Sequence, residues 1–195
     1  SNIECNFSNQ LRRSLSVSNN GNIIALGLPS TTNNSSGEVN IYKRSQNIWS
    51  SFNSPIIKDE NSYKTNDQRF GYSVSLDASG GLLAVGMPYY KNQQNGVQWN
   101  SGRVIIYEIL SGGINLLPNQ TFITGGRQLN TSNGDQLGED ICFSGNGNLL
   151  LISKHLEDVA WNSGDNRGKT LIYKKQADNT YSLFKSLSNS GVNIN

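Results

Sequence analysis

With 195 residues and a net charge of +2, the chain has room for one domain or a short array of repeats, and its scattered basic residues make no surface for tracking nucleic-acid phosphates. Only 15% of residues are charged and 35% are hydrophobic, while 28 Asn, 26 Ser and 20 Gly supply an uncharged polarity that favours turns over helix interiors and excludes a helical bundle. The longest apolar runs, such as Leu149 to Ile152, are far too short to cross a bilayer, so no membrane insertion is expected.

The chain opens Ser1-Asn2-Ile3-Glu4, with no initiator methionine and no basic-then-apolar leader, which reads as a processed or truncated start. Cys5 and Cys142 lie far apart without CxxC spacing and are expected to be free thiols. The first strand signal is Ser14-Leu15-Ser16-Val17-Ser18, followed by the turn Asn19-Asn20-Gly21 and the run Asn22 to Pro29. The same pattern returns as Ser73 to Asp77, the turn Ala78-Ser79-Gly80 and the run Gly81 to Pro88. It returns again as Asp140 to Ser144, Gly145-Asn146-Gly147 and Asn148 to Ser153. Each copy adds a Gly-led strand, Gly37 to Tyr42, Gly102 to Tyr107 and Gly168 to Tyr173, whose closing tyrosines are 65 and 66 residues apart. A weaker fourth strand fits Ile48 to Ile57, Ile114 to Thr124 and Tyr181 to Leu187.

The first segment of each unit alternates, with Leu15 and Val17, Val74 and Leu76, or Ile141 and Phe143 on one face, as a half-buried strand requires. The second is continuously apolar, which suits a strand covered on both faces, and it places Ile24, Leu83 and Leu150 at equivalent buried positions. The short Asn/Ser/Gly turn between them fits a tight hairpin. The fold class expected is therefore all-β: a partial β-propeller of three four-stranded antiparallel blades, at residues 1–58, 59–125 and 126–195. Three blades fall short of the about four to eight that close a ring, so the outer sheets are expected to meet remaining blades of the same chain or identical copies.

Phe70-Gly71-Tyr72-Ser73-Val74-Ser75, followed by Leu83-Ala84-Val85-Gly86-Met87-Pro88, resembles the FG-GAP repeat of integrin α-subunit heads. The first unit has Leu11-Arg12 in place of Phe-Gly; the third has Leu137-Gly138, and Lys154-His155 where Gly-Ala-Pro is expected. The resemblance implies a propeller whose usual work is recognition of protein or glycan, in extracellular, cell-surface or virion-surface proteins. Many blades of that family carry an Asp-rich calcium loop in the first hairpin. Here Asn19-Asn20-Gly21 and Ser144-Gly145-Asn146-Gly147 have no carboxylate and Asp77-Ala78-Ser79-Gly80 has one, so no metal is expected there. Glu157, Asp158 and Asp165 in the third unit's long loop read as solvated carboxylates.

No nucleophile, base and orienting group converge in the sequence, so no catalytic residue, no enzyme activity and no cofactor are expected. His155, the single histidine, reads as a surface or loop residue. Cys142 shares its repeat position with Ser16 and Ser75 and reads as a small packing residue. Asp67 and Asp135 read as turn residues bonded to backbone. The repeated hexads Val97 to Gly102 and Val159 to Gly164 set Trp99 and Trp161 at one loop position. With Tyr89 and Tyr90, these indoles are the candidate ligand- or partner-binding residues, weighed against packing of the loop onto its own or the next blade. The function expected is a non-catalytic recognition or adhesion module. The alternatives are a building block of a virion or extracellular filament, or an accessory domain of a larger enzyme.

Overall fold

The computed structural model describes residues 14–29, 37–52, 56–57, 69–94, 97–123, 133–156 and 168–188, and among them the regular elements are β-strands. The first unit runs β1 (Ser14–Val17), β2 (Ile23–Leu28), β3 (Glu38–Ser45) and β4 (Ile48–Ser51) side by side and antiparallel, with β5 (Ile56–Ile57) also on β3. The second comprises β6 (Ser73–Leu76), β7 (Leu82–Met87), β8 (Lys91–Gln94), β9 (Val97–Leu110) and β10 (Gly113–Ile123). Here β6, β7, β9 and β10 form the sheet, and β8 folds back on the start of β9. The third repeats the order of the first as β11 (Asn133–Phe143), β12 (Leu149–Lys154), β13 (Lys169–Lys175) and β14 (Tyr181–Ser188).

One device joins successive units. The glycine that opens a third strand pairs in parallel with the residue before the next unit's positive-φ glycine, Gly37 with Phe70 and Gly102 with Leu137. A side chain has no room at these junctions. An added Cβ at Gly37 would lie 2.1 Å from the Phe70 carbonyl oxygen, and one at Gly27 would lie 2.1 Å from that of Gly71.

Cross-strand partners share a face, so the registers fix which way each residue points. Ala25, Val39 and Ile41 of the first unit meet Val74, Leu76, Leu83, Val85, Met87 and Ile105 of the second in one core. Ala84, Val104 and Ile106, the alternate residues of that second sheet, meet Ile141, Phe143, Leu150 and Ile152 of the third in another. Among the described residues only the middle unit is therefore enclosed on both faces, and this corrects the expectation for the second strands. Leu83 and Leu150 are fully buried as expected, but Ile24 is half-buried because it faces away from the second unit. Leu15 and Val17, on the same outer face, are 67% and 56% exposed.

β1 and β6 lie at sheet edges, and β11 leaves its parallel pairing with β9 after Leu137, so amides on the outer side of all three need partners. Serines of the preceding unit supply them. The Val74 amide donates to Ser14 Oγ at 2.7 Å, the Leu76 amide to Ser16 Oγ at 2.9 Å, and the Phe143 amide to Ser75 Oγ at 2.9 Å. At the opposite end of the same strands the hairpin turns are linked by backbone, Asn19 N–H to the Ala78 carbonyl and Ala78 N–H to that of Gly145, both at 2.9 Å.

Tyr181 closes the third unit. Its phenol donates to the Gly147 carbonyl, its ring packs on Phe143 with centroids 5.9 Å apart, and the residue is only 7% exposed. Burial, with a smaller push from the Asp77 carboxylate, raises its pKa from the ordinary tyrosine value of 10.0 to about 12. The folded state holds this proton more tightly than the unfolded chain. Its stabilisation is complete below about pH 10 and is lost as pH rises towards about 12. Thermal melts from pH 9 to 12 are expected to show that decline, and Tyr181→Phe should flatten it while costing about 1 kcal/mol at neutral pH through the lost hydrogen bond.

Candidate functional site

The side chains with the most chemistry line one rim of the sheets, where first strands begin and second strands end. Arg69 and Gln136, at equivalent places before β6 and within β11, both hold positive φ, 56° and 51°. Gly71 and Gly138 follow at 82° and 87°. The turn is closed by the Tyr72 amide on the Arg69 carbonyl at 3.0 Å. Such a backbone is costly for a non-glycine residue, and here it turns the Arg69 guanidinium over the Tyr89 ring, 3.8 Å from its centroid.

From there a continuous strip crosses the junction between the second and third units. Tyr89 packs against Tyr72 at a centroid distance of 6.2 Å, and Tyr72 donates through its hydroxyl to Glu139 Oε1 at 3.3 Å. The other Glu139 oxygen pairs with His155 Nδ1. Glu139 occupies the place of Tyr72 in its own unit, and His155 that of Pro88, so the strip arises where the repeats differ. Beside it Lys154 Nζ pairs with Asp135 Oδ2 at 3.1 Å, both side chains nearly buried. Burial raises the Tyr173 phenol above its ordinary value, opposed by the nearby Lys154 ammonium.

Tyr89 is half-buried and part of this strip. Tyr90 is more structural: its ring packs against the first core, its carbonyl accepts from the Gly102 amide at 3.2 Å, and Arg103 lies 5.2 Å from its ring centroid. Trp99 falls within β9, paired with Asn92 of β8, and not in a loop as expected, because β9 extends upstream of Gly102. Trp161, like Cys5, Asp67, Glu157, Asp158 and Asp165, lies outside the described residues. Asp135, expected as a turn residue bonded to backbone, instead lies in β11 with its carboxylate against the Lys154 ammonium. Cys142 is a free thiol and exposed, not packed as expected. Sequence reasoning missed Arg69, Tyr72 and Glu139; their signal lay in the residues flanking Phe70-Gly71 and Leu137-Gly138.

The first hairpins use their side-chain oxygens on their own backbone. Asp77 Oδ1 accepts from the Leu82 amide at 2.9 Å, while Ser18 Oγ accepts from Ile23 and Ser144 Oγ from Leu149, both at 3.0 Å. Among the described residues no group of three or more His, Cys, Asp and Glu side chains is gathered as a metal ion requires, and no helix is long and apolar enough to cross a membrane.

No family model matches the chain, and no curated protein does. Solved structures do share its architecture. A hypothetical selenium-binding protein from Sulfolobus tokodaii superposes with a TM-score of 0.54 at 10% identity, over 90% of this chain and 40% of its own. A protein from Bacteroides uniformis, provisionally assigned as a 6-phosphogluconolactonase, gives 0.51 at 15% identity over 89% of this chain and 40% of its own. At these identities the likeness shows an all-β fold alone, and the present chain spans 40% of the length of those two proteins.

Proposed function

We propose that the chain is a three-bladed sector of a β-propeller of the FG-GAP kind, and that it works as a non-catalytic recognition module at an extracellular, cell or virion surface. The propeller reading is supported by the three sheets stacked in one register, with the Phe70-Gly71 and Leu137-Gly138 turns seated against Gly27 and Gly86. The single observation that carries the recognition role is the rim strip from Arg69 and Tyr89 through Tyr72 to Glu139 and His155. It offers an aromatic surface flanked by a cation and a carboxylate, a combination suited to a glycan or a polar protein loop. Its acid and base groups are paired with each other and set beside no nucleophile, which favours binding over chemistry.

Presenting the chain to a glycan array, with immobilised extracellular protein ectodomains alongside, tests this. Binding is expected, and Tyr89→Ala should weaken it at least about tenfold, the size of a hot-spot truncation, without moving the melting temperature by more than a few degrees. Undiminished binding by Tyr89→Ala, or turnover of a bound sugar, would contradict the reading.

A further inference from the structure

The two ends of the array carry opposite halves of one interface. On the first unit, Leu15, Val17 and Ile24 form the kind of face that Val74, Leu76 and Leu83 bury against the first unit and that Ile141, Phe143 and Leu150 bury against the second. On the third unit, Asp140, Cys142, Leu151, Ser153 and Thr170 line an open groove at the positions that Ser14, Ser16, Ala25, Gly27 and Val39 occupy in the first core. We propose that a second copy of this chain covers both faces, each first sheet docking on the other copy's third sheet, so that two copies close one six-sheet ring.

The repeated contacts specify the register. Ser16 and Ser75 accept from Leu76 and Phe143; the next acceptor in line is Cys142 Sγ, and the donor at the matching place is the Val17 amide. Ser14 accepts from Val74, and its third-unit equivalent Asp140 faces the Leu15 amide in the same way. The Asn19-to-Ala78-to-Gly145 ladder continues from the Gly145 amide to the Asn19 carbonyl of the copy. Six sheets lie within the about four to eight over which propellers close, and a contact between unlike faces forms a closed ring when its rotation permits.

Two paired departures from the repeat favour this chain's own start over another Phe-Gly blade. Inside the array the contact is glycine on glycine, Gly27 on Gly71 and Gly86 on Gly138, with an added Cβ meeting a carbonyl at 2.1 and 2.2 Å. The third unit has Ser153 at that place, its Oγ already accepting from the Asp140 amide at 2.8 Å, so a blade opening with Phe-Gly in the same path would drive its carbonyl into this side chain. The first unit has Arg12 in sequence where Gly71 and Gly138 stand, and arginine does not readily take their positive φ. Asp140 also brings a carboxylate to the place where Ser73 in the second unit donates to the Gly138 carbonyl at 2.7 Å, and in the sequence the basic pair Arg12-Arg13 directly precedes Ser14, the matching position of the first unit.

This inference rests on the propeller reading and is independent of the rim's recognition role. Light scattering of the purified chain tests it, alone and with Leu15→Arg and Leu151→Arg, one on each face. The wild type is expected at twice the 21.4 kDa chain mass, and each variant alone at the chain mass. An equimolar mixture of the two variants should recover a dimer, because each retains the face the other has lost, and that recovery shows both are folded. In a Cys5→Ser background, the Cys142 thiol should react with iodoacetamide at least about tenfold more slowly in the dimer than in the Leu15→Arg monomer. A monomeric wild type, a larger or open-ended assembly, dimeric single variants or a mixture that stays monomeric would each overturn the proposal.

Discussion

Gly102→Ala is expected to lower stability by about 3 kcal/mol or more, the sum of a left-handed residue gaining a Cβ and of forced overpacking. Gly102 sits at φ +76°, and a Cβ there would lie 2.1 Å from the Leu137 amide nitrogen and 2.3 Å from its carbonyl oxygen. Both are backbone atoms of the parallel pairing between β9 and β11, so no side chain can swing aside. The change should separate the third sheet from the second as well as strain the strand. Gly112 is the control: nothing lies within 4 Å of its added Cβ, and Gly112→Ala should shift stability by no more than about 0.5 kcal/mol. Chemical denaturation of the two variants gives the comparison directly.

Leu83→Ala should cost about 2 to 5 kcal/mol, because the side chain is fully buried between the first and second units and its neighbours on β6 and β9 are held by their ladders. The same truncation at Ile24, its repeat equivalent, should cost about 1 kcal/mol in a monomeric form such as the Leu15→Arg variant, since that side chain is half-buried on the outer face. The contrast between two equivalent residues measures what a covering sheet contributes. An Ile24→Ala cost equal to that of Leu83→Ala would show the outer face to be covered within the chain itself.

The strands were legible because the segments repeat three times. Alternation at Leu15 and Val17, continuous apolarity at Leu82 to Val85, and the Asn/Ser/Gly turns between such segments locate β1 and β2, β6 and β7, β12 and the last part of β11. Burial was less legible, because equivalent residues differ only in whether a neighbouring sheet is present, as Ile24 and Leu83 show. The serine-to-amide bonds of Ser14, Ser16 and Ser75 were hidden for another reason. In a Ser-rich chain nothing local separates a serine that faces the next sheet from one that faces water. Of the candidate site, Tyr89 was visible as an aromatic at a loop start. Arg69 and Tyr72 reach Tyr89 from the other end of the same unit through the turn at Phe70-Gly71, and Glu139 and His155 join them only when the third unit is stacked on the second, which no spacing along the chain reveals.

Residue-resolved amide exchange on the whole chain tests the stacking itself, the claim on which the rest depends. The account predicts that the amides of Val74, Leu76 and Phe143 exchange at least about a hundredfold more slowly than that of Asn47 in the exposed β3–β4 turn, because each is held by a seryl oxygen of the preceding sheet. Exchange at Val74, Leu76 and Phe143 as fast as at Asn47 would contradict it, since those sheet edges would then be open to water and the three units would not be stacked.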